Sequence, residues 1–114
     1  VVRGAFGLSG VYDLEPLRLS YHQANLRIDP RAVRRNSPLR LKPNPDVATV
    51  VCVGGDETEE FHRQQAAFVA EWTRQNAKVS VVRAPRLHHF DIVGRCADFA
   101  HPVGKALLKL ATAR

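Results

Sequence analysis

At 114 residues the chain has the length of one domain, enough for a single modest core but short of the about 200 residues that a complete catalytic α/β architecture commonly uses. A hydrophobic fraction of 45% excludes general disorder, and no apolar run approaches the roughly 20 residues that span a bilayer, so no membrane partner is expected. Lys and Arg number 17 against 11 Asp and Glu, a formal charge of +6. The excess gathers in Arg18, Arg27, Arg31, Arg34, Arg35, Arg40 and Lys42. With no interleaved aromatic residues and no nucleic-acid module, that cluster reads as a solvated rim, and no nucleic-acid partner is expected.

The chain starts at Val1 and contains no Met, which points to an internal excerpt of a longer protein. No secretory leader is visible, although a preceding segment would hide one. Cys52 and Cys96 are too few for a disulfide scaffold, and Cys52 lies in an apolar run where a buried thiol is ordinary. A reduced, cytoplasmic setting is expected.

In chain order, "VVRGAFGLSGVYDL" reads as a short buried strand near Val1 that empties into a loop around Gly7 and Gly10. Residues 16–46 carry five prolines without a sustained period and read as a loop and short-helix excursion. Its clearest helix begins at Asp29, an N-cap candidate followed by Pro30. "VATVVCV", Val47 to Val53, is continuously apolar and β-branched, the pattern of a parallel strand covered on both faces. Gly54 and Gly55 end it. A helix follows from Thr58 or Glu59 to about Asn76, with Phe61, Phe68, Val69 and Trp72 near one another on a face and early acids that suit a helix N-terminus. Lys78 to Ala84 reads as another strand, and Gly94 to about Ala111 as a final helix with Val103, Ala106, Leu107 and Leu110 as its stripe.

The fold class expected from this order is α/β, a parallel sheet with covering helices. Three strands alone leave long edges and a thin core. The strand near Val1 is therefore expected to pair with a strand outside this sequence, and the isolated chain to be unstable or to self-associate through an exposed sheet edge.

In open α/β sheets the chemistry gathers beyond the carboxyl ends of the strands. Three segments leave such ends: Gly7 to Asp13, the "GGDETEE" loop, and "APRLHHFD" from Ala84 to Asp91. An acid after one strand and a histidine after the next can form a base, because the carboxylate accepts the Nδ1 proton and leaves Nε2 free to take one. From residue type and spacing, the alternative of ordinary loop histidines at His88 and His89 stays open. No HExxH or CxxC is present, and adjacent histidines diverge, so no metal is expected. Gly54-Gly55 has neither GxGxxG nor a P-loop lysine, and the acids that follow argue against a phosphate there.

"GLSGVYDLEPL" (Gly7 to Leu17), "NSPL" (Asn36 to Leu39), "VGGDETEEFHRQ" (Val53 to Gln64) and "HHFDIV" (His88 to Val93) together resemble the C-terminal half of α/β-hydrolases of the esterase type, and within them the kynurenine formamidase-like branch. The resemblance spans nearly the whole chain. It implies a Ser-acid-His triad whose acid sits three residues after the glycine closing the penultimate strand. That position is Glu57, with Asp56 as the alternative acid. The triad histidine precedes the Phe of the "HF" pair, which is His89. The family's nucleophile stands in a GxSxG elbow and its oxyanion hole in an HGG-like loop, both upstream of this region. Ser9 in "GLSG" has the wrong spacing and no following helix, so the nucleophile is expected to be absent from this chain.

The resemblance thus implies the acid and histidine half of a serine hydrolase, inactive alone, completed by an N-terminal half and using no cofactor. The substrate would be an arylformamide such as N-formylkynurenine or a small carboxylic ester. Tyr12, Leu14, Leu17 and Tyr21 stand where such enzymes build a substrate pocket, or are plain packing. A non-catalytic interaction or assembly fragment, or a degenerate homologue, is the alternative.

Overall fold

The computed structural model describes residues 1–113. A parallel sheet in the order β1 (Gly4–Leu8), β2 (Ala48–Gly54), β3 (Val79–Ala84) forms its centre. Phe6 lies beside Val50 in the β1–β2 register, and Val51 beside Val81 in the β2–β3 register. Between β1 and β2 run α1 (Glu15–Arg18), α2 (Gln23–Leu26), α3 (Pro30–Asn36) and a 3₁₀ turn at Pro38–Arg40; α4 (Glu59–Arg74) joins β2 to β3. After β3 come α5 (Asp91–Gly94), a 3₁₀ turn at Arg95–Ala97, and α6 (Pro102–Thr112).

The alternation of side chains along β2 assigns the two layers. Val51 joins Tyr12 and Phe68 in one buried cluster, onto which Leu39, Val69 and Trp72 pack. Cys52 joins Ala84, Leu87, Ile92 and Val103 in the other, with Phe6, Leu8 and Val82 beside them. Thus α4 covers one face and α6 the other. A central parallel strand covered on both faces reads as an unbroken apolar run, as "VVCV" does. Burial pushes the Cys52 thiol pKa up to about 11, so it behaves as an inert hydrophobe. Tyr12 stacks on Phe68 with centroids 4.2 Å apart, Trp72 packs on Phe68 tilted by 43° at 4.4 Å, and the indole N–H donates to the Pro38 carbonyl at 3.1 Å.

Two readings of the sequence are corrected. The final helix does not run from Gly94; α5 and a 3₁₀ turn end before Asp98, and α6 begins afresh at Pro102. Proline fits the first helical position and resists a continuing helix on its N-terminal side, while His101 Nδ1 accepts the Val103 N–H at 3.2 Å as a cap. The first strand starts at Gly4, three residues beyond Val1, and it takes in Gly7; Val1 and Val2 are exposed. In the excursion, Asp29 caps α3 by accepting the Ala32 N–H at 2.7 Å. Arg27, Arg31, Arg34, Arg35, Arg40 and Lys42 are all exposed, while Arg18 pairs with Glu15 and Arg40 with Asp13.

Within the described residues β1 and β3 are both edges of the sheet. No helix is long and apolar enough to cross a membrane.

At the carboxyl end of the sheet the loops after β2 and β3 are pressed together. A Cβ on Gly54 would lie 2.2 Å from the Leu87 carbonyl oxygen, and one on Gly55 would lie 3.1 Å from the Arg86 nitrogen. Only glycine admits that approach. Gly55 N–H then donates to Ala84 O at 2.8 Å and Asp56 N–H to Leu87 O at 3.1 Å. Gly54→Ala should force the loops apart and cost about 1–3 kcal/mol, read as a lower urea midpoint. An unchanged midpoint would show that the loops are not held in contact.

Candidate active site

The buried contact between these loops brings together a carboxylate and an imidazole. Glu57 N–H donates to the Gly54 carbonyl at 3.0 Å, closing the turn out of β2, and the Glu57 side chain folds back over that turn. Its Oε2 accepts the Gly54 N–H at 2.6 Å and the Ser9 hydroxyl at 2.6 Å. Its Oε1 lies 2.7 Å from His89 Nδ1. The Glu57 side chain is 0% exposed and that of His89 48%, so the pair has one buried partner and one at the surface. A carboxylate can only accept, hence Nδ1 carries a proton, and in the neutral ring Nε2 presents a lone pair. Phe61 stacks on the imidazole at 5.0 Å, and Phe90 meets it edge-on at 5.4 Å.

Burial alone would push the Glu57 pKa up. The hydrogen bonds from Ser9, Gly54 and His89 together outweigh it and hold the carboxyl below its ordinary value.

The neighbouring groups are placed differently. Asp56 is exposed, at the lip of the cleft. His88 is committed to its own turn: Nδ1 accepts the Phe90 N–H at 3.1 Å and the Asp91 N–H at 3.2 Å, while Nε2 lies 3.0 Å from Asp91 Oδ2. The Ser9 hydroxyl donates its hydrogen bond to Glu57 Oε2, not to an imidazole. The sequence gives no local signal for this contact, because Ser9 and Glu57 lie 48 positions apart and meet only through the sheet. Gln64 stands in the "HRQ" string, which reads from sequence either as a brace of the acid loop or as a surface helix turn; it is buried, its Oε1 accepts the N–H groups of Tyr12 and Asp13 at 3.0 and 2.8 Å, and Nε2 donates to Asp13 O at 3.0 Å. It braces the loop after β1, whereas the turn-exposed Arg63 pairs with Glu60.

A cleft of about 310 Å³ holds Glu57 and His89, between Thr58, Phe61 and Phe90. Across Phe61 and Thr58 it adjoins a second hollow of about 320 Å³, lined by Val11, Pro16, Leu17 and Tyr21. Of the four residues considered for a pocket wall, Leu17 and Tyr21 line this hollow. Tyr12 does not; it is 7% exposed in the core, where burial pushes its phenol pKa up to about 12. Leu14 does not line the hollow either; it precedes α1, and its N–H donates to Ser37 Oγ at 2.9 Å. A larger hollow of about 380 Å³ lies by β3 among Val81, Arg83 and Gln65, and neither Glu57 nor His89 lines it. Among the described residues, no three His, Cys, Asp or Glu side chains gather as a metal site.

No family model matches the chain. It is 29% identical to the kynurenine formamidase of Danio rerio over 114 residues and 30% identical to that of Salmo salar over 115. Each match takes in 96% of this chain but only 39% of the relative, so the chain spans about two fifths of the length of these curated proteins. Among solved structures, a candidate thioesterase of Silicibacter sp. TM1040 superposes with a TM-score of 0.76 at 24% identity. Esterase 2 of Thermogutta terrifontis, phosphoramylated by tabun, does so at 0.63 and 17%. Both likenesses cover 96% of this chain and 39% of the other.

A group with a depressed carboxyl pKa adds stability above its unfolded value, near 4.5, and loses it as pH falls through the lower folded value. Glu57→Gln should therefore flatten the acid side of the stability–pH curve measured by urea unfolding. An acid limb as steep as that of the unaltered protein would contradict the shift.

Proposed function

We propose that the chain, which is similar to kynurenine formamidases over about two fifths of their length, is a C-terminal portion of an α/β-hydrolase and supplies the acid and the histidine of a serine hydrolase. The observation that carries this reading is the 2.7 Å contact between a fully buried carboxylate and the Nδ1 of a half-exposed histidine. A carboxylate buried at the carboxyl end of a parallel sheet, with three donors converging on it, is costly to build for stability alone. A non-catalytic assembly role would need only the free sheet edges and leaves that buried pair without a purpose.

In this reading His89 Nε2 takes the proton of a serine hydroxyl supplied from outside these residues as the serine attacks a carbonyl carbon. Backbone N–H groups, also outside, hold the oxyanion, and His89 returns the proton to the leaving group. Glu57 fixes the tautomer and stabilises the imidazolium. Water activated by the same nitrogen then releases the acyl group, a sequence that calls for no metal or organic cofactor. The outer edge of β1 is where the missing part of the sheet would pair. Alone, the chain would hydrolyse nothing.

The substrate read from the relatives' name is an N-formyl arylamine such as N-formylkynurenine, with small carboxylic esters as the second class. The hollow beside Phe61, lined by Leu17 and Tyr21, supports an aromatic portion on the substrate.

In the complete protein, His89→Ala and Glu57→Gln should each lower kcat by about a thousandfold or more. Asp56→Asn, at an exposed position, should change it by less than about threefold. Near-normal turnover without His89 would refute the assignment, and a reversed ranking of the two acids would transfer the role to Asp56. Comparing N-formylkynurenine with short p-nitrophenyl esters as substrates decides between formamide and ester.

A further inference from the structure

We infer that Ser9 is a positioning residue for the Glu57 carboxylate, and so acts on the reaction through it. The inference rests on the acid-histidine reading above. Its observations are of another strand.

Ser9 directly follows β1, and its N–H extends the ladder by donating to Cys52 O at 2.8 Å. Its backbone then turns left-handed, with φ of 49°. A residue with a Cβ is uncommon there and is disfavoured relative to glycine, which adopts the conformation freely. Stability of the turn alone would therefore favour Gly at this position. What Ser adds is one hydroxyl, 9% exposed as a residue and 2.6 Å from Glu57 Oε2.

The geometry shows what that hydroxyl does. The last torsion of a glutamate side chain is broad and nearly two-fold, so a carboxylate with one anchor can rotate and exchange its oxygens. The Gly54 N–H is an anchor from the acid's own turn, and Ser9 Oγ is a second one from a neighbouring strand. Both fall on Oε2. Together they define the plane of the carboxylate and leave Oε1 directed at His89. The hydroxyl also favours the ionised acid: burial raises the Glu57 pKa, and the Ser9 hydrogen bond leads the contributions that lower it.

The decisive variant is Ser9→Gly, which removes the hydroxyl while suiting the left-handed backbone. In the complete protein it should lower kcat by about ten- to a hundredfold, with KM within about twofold and only a small drop in unfolding temperature, because the relieved left-handed backbone offsets part of the lost hydrogen bond. The carboxyl carbon of Glu57, followed by ¹³C NMR, should titrate at a higher pH than in the unaltered protein. Near-normal kcat in Ser9→Gly beside a severe loss in Glu57→Gln would overturn the inference. A fall in kcat without movement of the carboxyl titration would overturn it too. If Glu57→Gln itself leaves kcat intact, the acid-histidine reading fails, and the titration alone decides about Ser9: an upward movement keeps the positioning contact, and an unmoved one removes it.

Discussion

The closeness of two loop backbones governs this molecule. Gly54 closes β2 with the Leu87 carbonyl where a side chain would otherwise be, and that absence allows the turn after β2 to lie against the turn after β3. The same Gly54 offers its N–H to Glu57 and its C=O to the Glu57 backbone. One residue without a side chain thus sets the depth of the acid, the path of its loop and the distance to the histidine loop. The sheet supplies the frame: parallel strands end at the same level, so that residues leaving β1, β2 and β3 meet at one rim.

A charged carboxylate withdrawn from water must be compensated by groups held in place beforehand. Here the compensation comes from all three strands: Ser9 after β1, Gly54 at the end of β2, His89 beyond β3. The loop carrying Ser9 is itself fastened to α4 by Gln64, whose amide meets the backbone of Tyr12 and Asp13. Packing supports the same arrangement from below, since the packed rings of Tyr12, Phe68 and Trp72 join that loop to α4. Gly7 and Gly10 leave room for the Tyr12 ring, as a Cβ on either would fall within 2.6 Å of its atoms. Gly7 within β1 and Gly10 in the loop after it are therefore packing requirements of an aromatic residue two to five positions away.

Much of this was legible in the residues. The unbroken apolar run to Val53, the paired glycines and the acid-rich helix start specify β2, its exit and α4 through rules that act over a few neighbours. The approach of Glu57 to His89 could be posed from strand order, and the family likeness chose the register. Apolar spacing persists across Pro102 and reads as one helix after Gly94, whereas Pro102 begins a new helix. Tyr12 is central to the core although its neighbourhood reads as loop; a residue that folds back over its own glycines leaves no periodic trace. The hydroxyl contact of Ser9 and the partners of Gln64 were illegible for a related reason. Their partners lie 48 to 52 positions away, and such side-chain hydrogen bonds depend on tertiary placement alone.

The central claim is that His89 is held by the buried carboxylate with its proton on Nδ1. The most direct measurement is the ¹⁵N spectrum of the His89 ring near neutral pH, in which the two nitrogens report their protonation separately. The account predicts a protonated Nδ1 coupled to a directly bonded hydrogen and a lone pair on Nε2, with the pattern lost in Glu57→Gln. A ring protonated on Nε2 and bare at Nδ1, or one indifferent to Glu57, would contradict it.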